Sequence, residues 1–248
     1  GDQMQISVNV IVQATSVLAA LLTVILTAQV RGDRAAGLIA PLLLVTCGCF
    51  AAAAANGIET TLFALFVTAS FWAFEGRLGN RLGLSMTLLC LTRPEGAYVV
   101  AGLLLLRFIG FRRGMPRPSI WPFAAPALTI AATAYLRWKA TGFFLPPPCV
   151  ALLHPRAGQL TEGMEWLGDS LRTAISLVLL VYAFVAYARG RISGMGARAL
   201  ALALILVVAT VPEGRGALPF ADALVPALPL AFIAVQEGMI EFLDGPSA

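Results

Sequence analysis

Charge is scarce in this chain. Of its 248 residues 12% are Asp, Glu, Lys or Arg and 59% are hydrophobic, whereas soluble domains carry about 25% charged residues. So small a charged share argues against a water-soluble globular domain. Histidine and lysine are nearly missing: His154 and Lys139 stand alone in their kinds. One histidine excludes a multi-His metal site. The four cysteines are Cys47, Cys49, Cys90 and Cys149, and Cys47-Gly-Cys49 lacks the second pair that a zinc site needs. They read as small buried hydrophobes. No P-loop or dinucleotide fingerprint is present, since the glycines of "GRISGMGAR" follow an apolar run inside a basic stretch. No repeat of the kind that marks secondary transporters is evident, and the chain shows one broken segment where such a transporter needs a pair.

What the chain has instead is apolar blocks near the 20 residues that a bilayer-spanning helix requires. They cover 6–30, 35–55, 58–75, 82–106, 118–136, 171–188, 195–212 and 219–236. The predicted fold is all-α: a polytopic transmembrane helical bundle of about 7 spans plus one broken helical hairpin. It forms a single domain over 1–248, with an outward loop at 137–170. Pro118 suits a first helical turn, and Pro122 and Pro126 predict a kinked span.

The formal net charge of +4 does not point to nucleic acid, because the basic residues lie between the spans. The short stretches 31–34, 76–81, 107–118 and 188–198 hold eleven of the seventeen. Short basic loops stay on the cytoplasmic side. On that rule 53–59, 137–170 and 212–219 face outward, the start of this segment lies outside and its C-terminus lies in the cytoplasm. A span and an external loop are expected ahead of Gly1.

The same rule places both ends of 82–106 on one side. A hairpin follows, with two arms of about 11 residues that rise about 16 Å, to roughly the bilayer middle. Its apex is Thr92-Arg93-Pro94-Glu95-Gly96. Pro94 removes a backbone donor and disfavours helix at Arg93, and Gly96 eases the turn. Irregular backbone and charge at that depth are tolerated only inside protein or beside water, and mark a functional site by default. The alternative is that Arg93 and Glu95 pair and merely neutralise each other.

"AAANGIETTLFALFVTASFW" (53–72) followed by "LCLTRPEGAYVVAGLLLL" (89–106) resembles the GT-C superfamily of membrane glycosyltransferases, in particular its bacterial mannosyl- and arabinosyltransferase-like branch. "TGFFLPPPCVAL" (141–152) and "ADALVPALPLAFIAV" (221–235) stand where that branch has its outward Pro-Asn-Thr loop and its late Leu/Pro-rich span. The resemblance implies transfer of a sugar from a polyprenyl-phosphate donor on the outer face of a bacterial inner membrane. The partners it implies are membrane lipids and the lipid-linked sugar, with no firmly bound cofactor; a divalent metal remains compatible with it. Cationic side chains would hold the lipid phosphate. Substrate-binding candidates are Glu59 at the cavity edge, Arg93 and Glu95 at its floor, and Arg137, Lys139 and His154 where an anionic head group arrives. For the charged candidates the competing reading is a snorkelling interfacial charge or a loop ion pair.

Three departures accompany the resemblance. The general-base Asp expected in the first external loop would precede residue 1. The Pro-Asn-Thr element is replaced by Pro146-Pro147-Pro148-Cys149, and the late Arg by Asp222, although a phosphate-binding Arg has no conservative substitute. A second expectation follows from them: a non-catalytic, GT-C-derived structural or assembly subunit of a membrane protein complex.

Overall fold

The first apolar block forms one long helix, α1 (Asp2–Gln29). Ser16, Ala19, Ala20, Thr23 and Thr27 line its buried stripe, while Val17, Leu18, Leu21, Leu22 and Ile25 are exposed. The spacing of the buried set marks one helical face. Its content reverses the order expected in water: small and hydroxylated residues face protein and large aliphatic ones face out. Small residues let helix backbones approach closely in lipid, where burying Leu against protein gains little over burying it in acyl chains. The hydroxyls of Thr23 and Thr27 donate to the carbonyls of Ala19 and Thr23 one turn back, so no polar group is stranded. Ser16 bonds the Thr61 hydroxyl at 2.8 Å.

The computed structural model describes residues 2–31, 36–56, 59–112, 120–144, 158, 161–165, 167–168, 176–190, 193–210 and 222–243. Among them all regular structure is helical. After α1 come a 3-10 turn (Ala36–Leu38), α2 (Ile39–Thr46), α3 (Gly48–Asn56), α4 (Thr60–Glu75), α5 (Gly79–Thr92), α6 (Gly96–Arg112) and α7 (Trp121–Thr141). The later elements are α8 (Ser176–Ala188), α9 (Gly194–Thr210), a 3-10 segment (Asp222–Ala227) and α10 (Leu228–Leu243). The block at 35–55, expected to be one helix, is divided. Cys47 is extended and its amide turns to the Leu44 carbonyl, next to Gly48, a weak helix former.

Two helices are long and apolar enough to cross a membrane, Val10–Gln29 and Leu224–Leu243, and a third counts if the bent pair Gly48–Ala55 and Thr60–Glu75 is one span. In the first, 28% of the apolar window is buried, and in the second 89%, so α1 lies at the periphery and α10 is the inner pillar. Residues Leu228–Gly238 are buried without a break, and α2, α8 and α9 pack around them. A helix apolar on all sides belongs in such a place.

Among the described residues three ion pairs give the bundle two poles. Arg31, just after α1, reaches Glu237 of α10, and Ser193, just before α9, donates to the same carboxylate. Arg198 in the first turns of α9 binds Glu75 at the end of α4. The ends of α1 and α4, the start of α9 and the late turns of α10 therefore gather at one pole. There lie the described flanks of the basic stretches 31–34, 76–81 and 188–198. The third pair, Arg93 with Glu95, marks the opposite pole.

Ala19→Leu is expected to force a bulky side chain into the contact around the buried stripe, at a cost of about 1–3 kcal/mol. Leu18→Ala, on the exposed face, should stay within about 0.5 kcal/mol. Thermal midpoints of the two variants in one detergent check this; equal losses would mean that α1 is turned otherwise.

Candidate functional site

The apex is built by backbone first. α5 ends as the Thr92 hydroxyl donates to the Leu89 carbonyl at 2.7 Å. Arg93 is extended, with φ −147° and ψ 142°, the conformation that a following proline favours. The amides of Gly96, Ala97 and Tyr98 then bond the carbonyls of Arg93, Pro94 and Glu95, so the turn passes directly into α6. Gly96 is fixed by space: a Cβ there would lie 2.9 Å from the Leu89 carbonyl oxygen and 3.1 Å from the Cys90 Cα. The sequence signal for a broken hairpin is thus realised at its expected residues.

Its depth differs from expectation. α5 starts at Gly79 and has 14 residues, a rise of about 21 Å in place of about 16 Å. The Arg93 guanidinium lies 5.7 Å from the centre of the Phe63 ring, in the first turn of α4. The apex therefore sits level with the start of α4, at the pole opposite Glu75, and not at the middle of that helix.

Arg93 and Glu95 are paired, Nε to Oε2 at 3.3 Å, with each side chain 14% exposed. Removing charges from water is costly unless they are matched, and the Phe63 face adds a cation–π contact. The match is incomplete. Among the described residues Glu95 Oε2 is a buried oxygen with no hydrogen-bond donor; the 3.3 Å contact supplies charge without a well-aligned N–H. A buried carboxylate oxygen in this state is an acceptor suited to an incoming hydroxyl.

Glu59 is exposed just ahead of α4, and its carbonyl accepts from the Phe63 amide. It shares the pole with Arg93, and no ion pair joins the two among the described residues. Arg137 and Lys139 occupy the last turns of α7, which closes on left-handed Gly142. Lys139 Nζ stands 5.5 Å from the centre of the Tyr135 ring, and Trp138 stacks on Phe144 at 5.0 Å. His154 and the stretch 145–157 lie outside the described residues, as does the side chain of Asp222. No group of three or more His, Cys, Asp or Glu that could hold a metal occurs among the described residues, and no chemical step is assigned to one.

Sequence reasoning missed the polar cluster of the other pole. Glu237 is 3% exposed and Arg31 26%. The neighbouring Gln236 accepts from the Ala40 amide at 2.9 Å, so a side chain from α10 satisfies an early amide of α2. The available signal was Gln236-Glu237 at the end of a 13-residue apolar run, Ala223–Val235. Comparison with protein-family models, curated proteins and solved structures finds no match for this chain.

Two outcomes follow. Gly96→Ala should cost about 1–3 kcal/mol, because the atoms that meet the new methyl are backbone and cannot swing aside. Arg31→Ala should cost about 2–3 kcal/mol, near the low end for a broken buried pair because Arg31 is partly exposed. Adding Glu237→Gln to Arg31→Ala should recover part of that loss, since an amide needs no cation. Chemical or thermal unfolding in detergent reads all three, and a double variant weaker than the single one would refute the ion-pair account.

Proposed function

We propose that this chain is the membrane core of a glycosyltransferase resembling the GT-C superfamily, which moves a sugar from a polyprenyl-phosphate donor to an acceptor hydroxyl on the outer face of a bacterial cytoplasmic membrane. In this reading about seven spans and the broken hairpin cross or enter the bilayer. The pole holding Glu75, Arg198 and Glu237 faces the cytoplasm, and the pole holding Arg93 and Glu95 faces out. The observation that carries the reading is the unsatisfied Glu95 oxygen beside Arg93 at the hairpin apex. It offers an acceptor for a sugar hydroxyl and a cation for a phosphate within one turn of chain.

The chemistry balances as a substitution at the anomeric carbon. Its bond to the phosphate oxygen breaks, the polyprenyl phosphate leaves with the electron pair, and the acceptor oxygen forms the new bond. The acceptor proton goes to a carboxylate base. Arg93 would stabilise charge growing on the departing phosphate, Glu95 would orient the sugar, and Glu59 would stand at the edge where the acceptor enters.

A second reading has its own observation. Arg93 is tied to Glu95 and covered by Phe63, the arrangement of a self-contained structural pair. A non-catalytic assembly subunit of GT-C descent would keep such a pair for stability alone.

Transfer of labelled sugar from a polyprenyl-phosphate donor by the full-length protein in proteoliposomes separates the two. Arg93→Ala is expected to lower turnover about 10²-fold, the scale for loss of one preorganised charge stabiliser, with helix content unchanged by circular dichroism. Retained transfer in the variant would overturn the site. Absent transfer by wild-type protein that copurifies with a larger membrane partner would favour the subunit.

A further inference from the structure

The inner helices of the bundle are shorter than a bilayer is thick. Ser16 of α1 bonds the Thr61 hydroxyl and, at 3.4 Å, the Ala53 carbonyl. It therefore stands at the height of the start of α4 and of Arg93, which lies over Phe63. From Ser16 to Arg31, and again from Thr60 to Glu75, the rise is about 22 Å at 1.5 Å per residue. These two spans join the poles, since Arg31 and Glu75 belong to the opposite pole. The hydrocarbon core of a bilayer measures about 30 Å, so about 8 Å of it is left over.

Two longer helices locate that remainder, and both place it beyond the hairpin apex. α1 continues past Ser16, and its apolar window begins at Val10, about 9 Å further on. Val10, Ile11 and Val12 are exposed. The second measure comes from α7. A Cβ on Gly79 or Gly83 would lie 3.5 Å or 3.1 Å from atoms of Pro122, so α5 and α7 start together, and they pack along their lengths. Tyr135 is about 20 Å beyond Pro122, and Arg93 about 18 Å beyond the midpoint of Gly79 and Gly83, at 1.5 Å per residue. The two share a height, and Trp138 and Lys139 stand about 6–8 Å past Arg93. Pro126, Ile130, Thr133 and Arg137 are buried or partly buried on the side that α7 turns to α5 and α6, whereas Tyr135, Trp138 and Lys139 are exposed. Trp138 stacks on Phe144, and Lys139 lies over Tyr135, the composition of a membrane interface. α1 packs on α4, α4 on α5 and α5 on α7, so the apex lies between the two taller helices.

We infer that the apex pole is a recess about 8 Å below the membrane interface, walled by α1 and α7 and filled by water. Acyl chains do not suit it. Glu59 is exposed at that height, and among the described residues it has no ion pair. A bare carboxylate at such depth belongs in a watery cavity and not in hydrocarbon. Pro94 of the irregular turn is exposed beside it, and irregular backbone is likewise excluded from lipid. At the floor Thr60 Oγ1 and Glu95 Oε2 are buried polar atoms without a hydrogen-bond partner among the described residues. A bilayer meets a short apolar surface by thinning, and here the thinning falls on one side of the bundle only. Small hydrophilic solutes then reach Arg93 and Glu95 from the aqueous phase without crossing hydrocarbon. The inference requires that the chain cross a bilayer and takes nothing from the sugar-transfer reading.

The experiment is reaction of single cysteines with a charged, membrane-impermeant methanethiosulfonate present on both sides of proteoliposomes of the full-length protein. The background has Cys47, Cys49, Cys90 and Cys149 replaced by alanine. Glu59→Cys and Thr92→Cys report the recess. Tyr135→Cys, at the same height on the exposed face of α7, and Leu18→Cys, on the exposed face of α1 about 3 Å below Ser16, report the lipid side. Leu21→Cys, also exposed, reports greater depth. Glu59→Cys and Thr92→Cys should react at least about tenfold faster than the other three, as water access at membrane depth requires, and all five should react alike in denaturing detergent. Fast reaction at Tyr135→Cys and Leu18→Cys, with Leu21→Cys protected, would put the interface at the height of the apex and remove the recess. Slow reaction at both Glu59→Cys and Thr92→Cys would mean a closed or lipid-covered pole and overturn the inference. Fast reaction at all five would remove the membrane crossing and the recess with it. Water access is read without turnover, so absent sugar transfer by wild type would leave a positive result standing.

Discussion

A charge withdrawn from water must meet an opposite charge or a set of donors and acceptors, and this constraint organises the chain. Among the described residues two long-range ion pairs answer it. Arg31 crosses 206 positions to Glu237, and Arg198 crosses 123 to Glu75. Each pair joins elements that the apolar surface alone leaves free to slide, since one aliphatic stripe packs nearly as well a turn higher. The pairs set register and direction: they bring the ends of α1 and α4 and the start of α9 to one level and hold α10 among them. Such pairs add specificity more surely than net stability, and lipid offers little hydrophobic drive between helices to fix register otherwise.

Placement of the helices was largely legible in the sequence because apolar runs bounded by arginine-rich stretches are a strong signal. The blocks at 58–75 and 195–212 correspond to α4 (Thr60–Glu75) and α9 (Gly194–Thr210). The break at Pro94 was legible for a local reason, since a proline's effect on its own amide and on the preceding residue does not depend on tertiary context. The break at Cys47 was not. Neither Cys nor Gly forbids helix, so that break comes from packing. Which faces of α1 turn inward could also be read only from the fold, because apolar residues surround the helix and periodicity of hydrophobicity is faint. In lipid the discriminating quantity is size, small inward and large outward, where in water it is polarity.

The candidate site divides along the same line. Arg93 and Glu95 were visible as charges in an apolar run, and their pairing follows from their adjacency across one turn. The separation of Arg137 from Lys139 was present in the spacing of Pro126, Ile130, Thr133 and Arg137 but could not be oriented without knowing which side α5 and α6 cover. Glu237 and Gln236 were hidden for the opposite reason. They lie at the edge of a predicted span, where polar residues ordinarily meet water, and only the enclosure of α10 makes them interior.

The two poles differ in how completely their charges are satisfied, and that difference bears on where function resides. At the pole of Glu75 and Glu237 the carboxylates receive aligned donors from Arg198, Arg31 and Ser193, and Ser193 also accepts from the Gly196 amide to start α9. These two carboxylates are matched by aligned donors, while the neighbouring Gln236 keeps a buried Nε2 with no acceptor among the described residues. At the hairpin apex Arg93 has a counter-charge without a good hydrogen bond, and Glu95 has a buried oxygen without a donor. The pair is neutral enough to persist with no ligand bound, yet both members keep bonding capacity in hand. A phosphate drawing on Arg93 would loosen its hold on Glu95 just as a hydroxyl from the same ligand could reach that oxygen. In the proposed reading the imperfect 3.3 Å contact leaves the pair stable when empty and still able to bind, whereas an ideal salt bridge at the same residues would favour the structural reading.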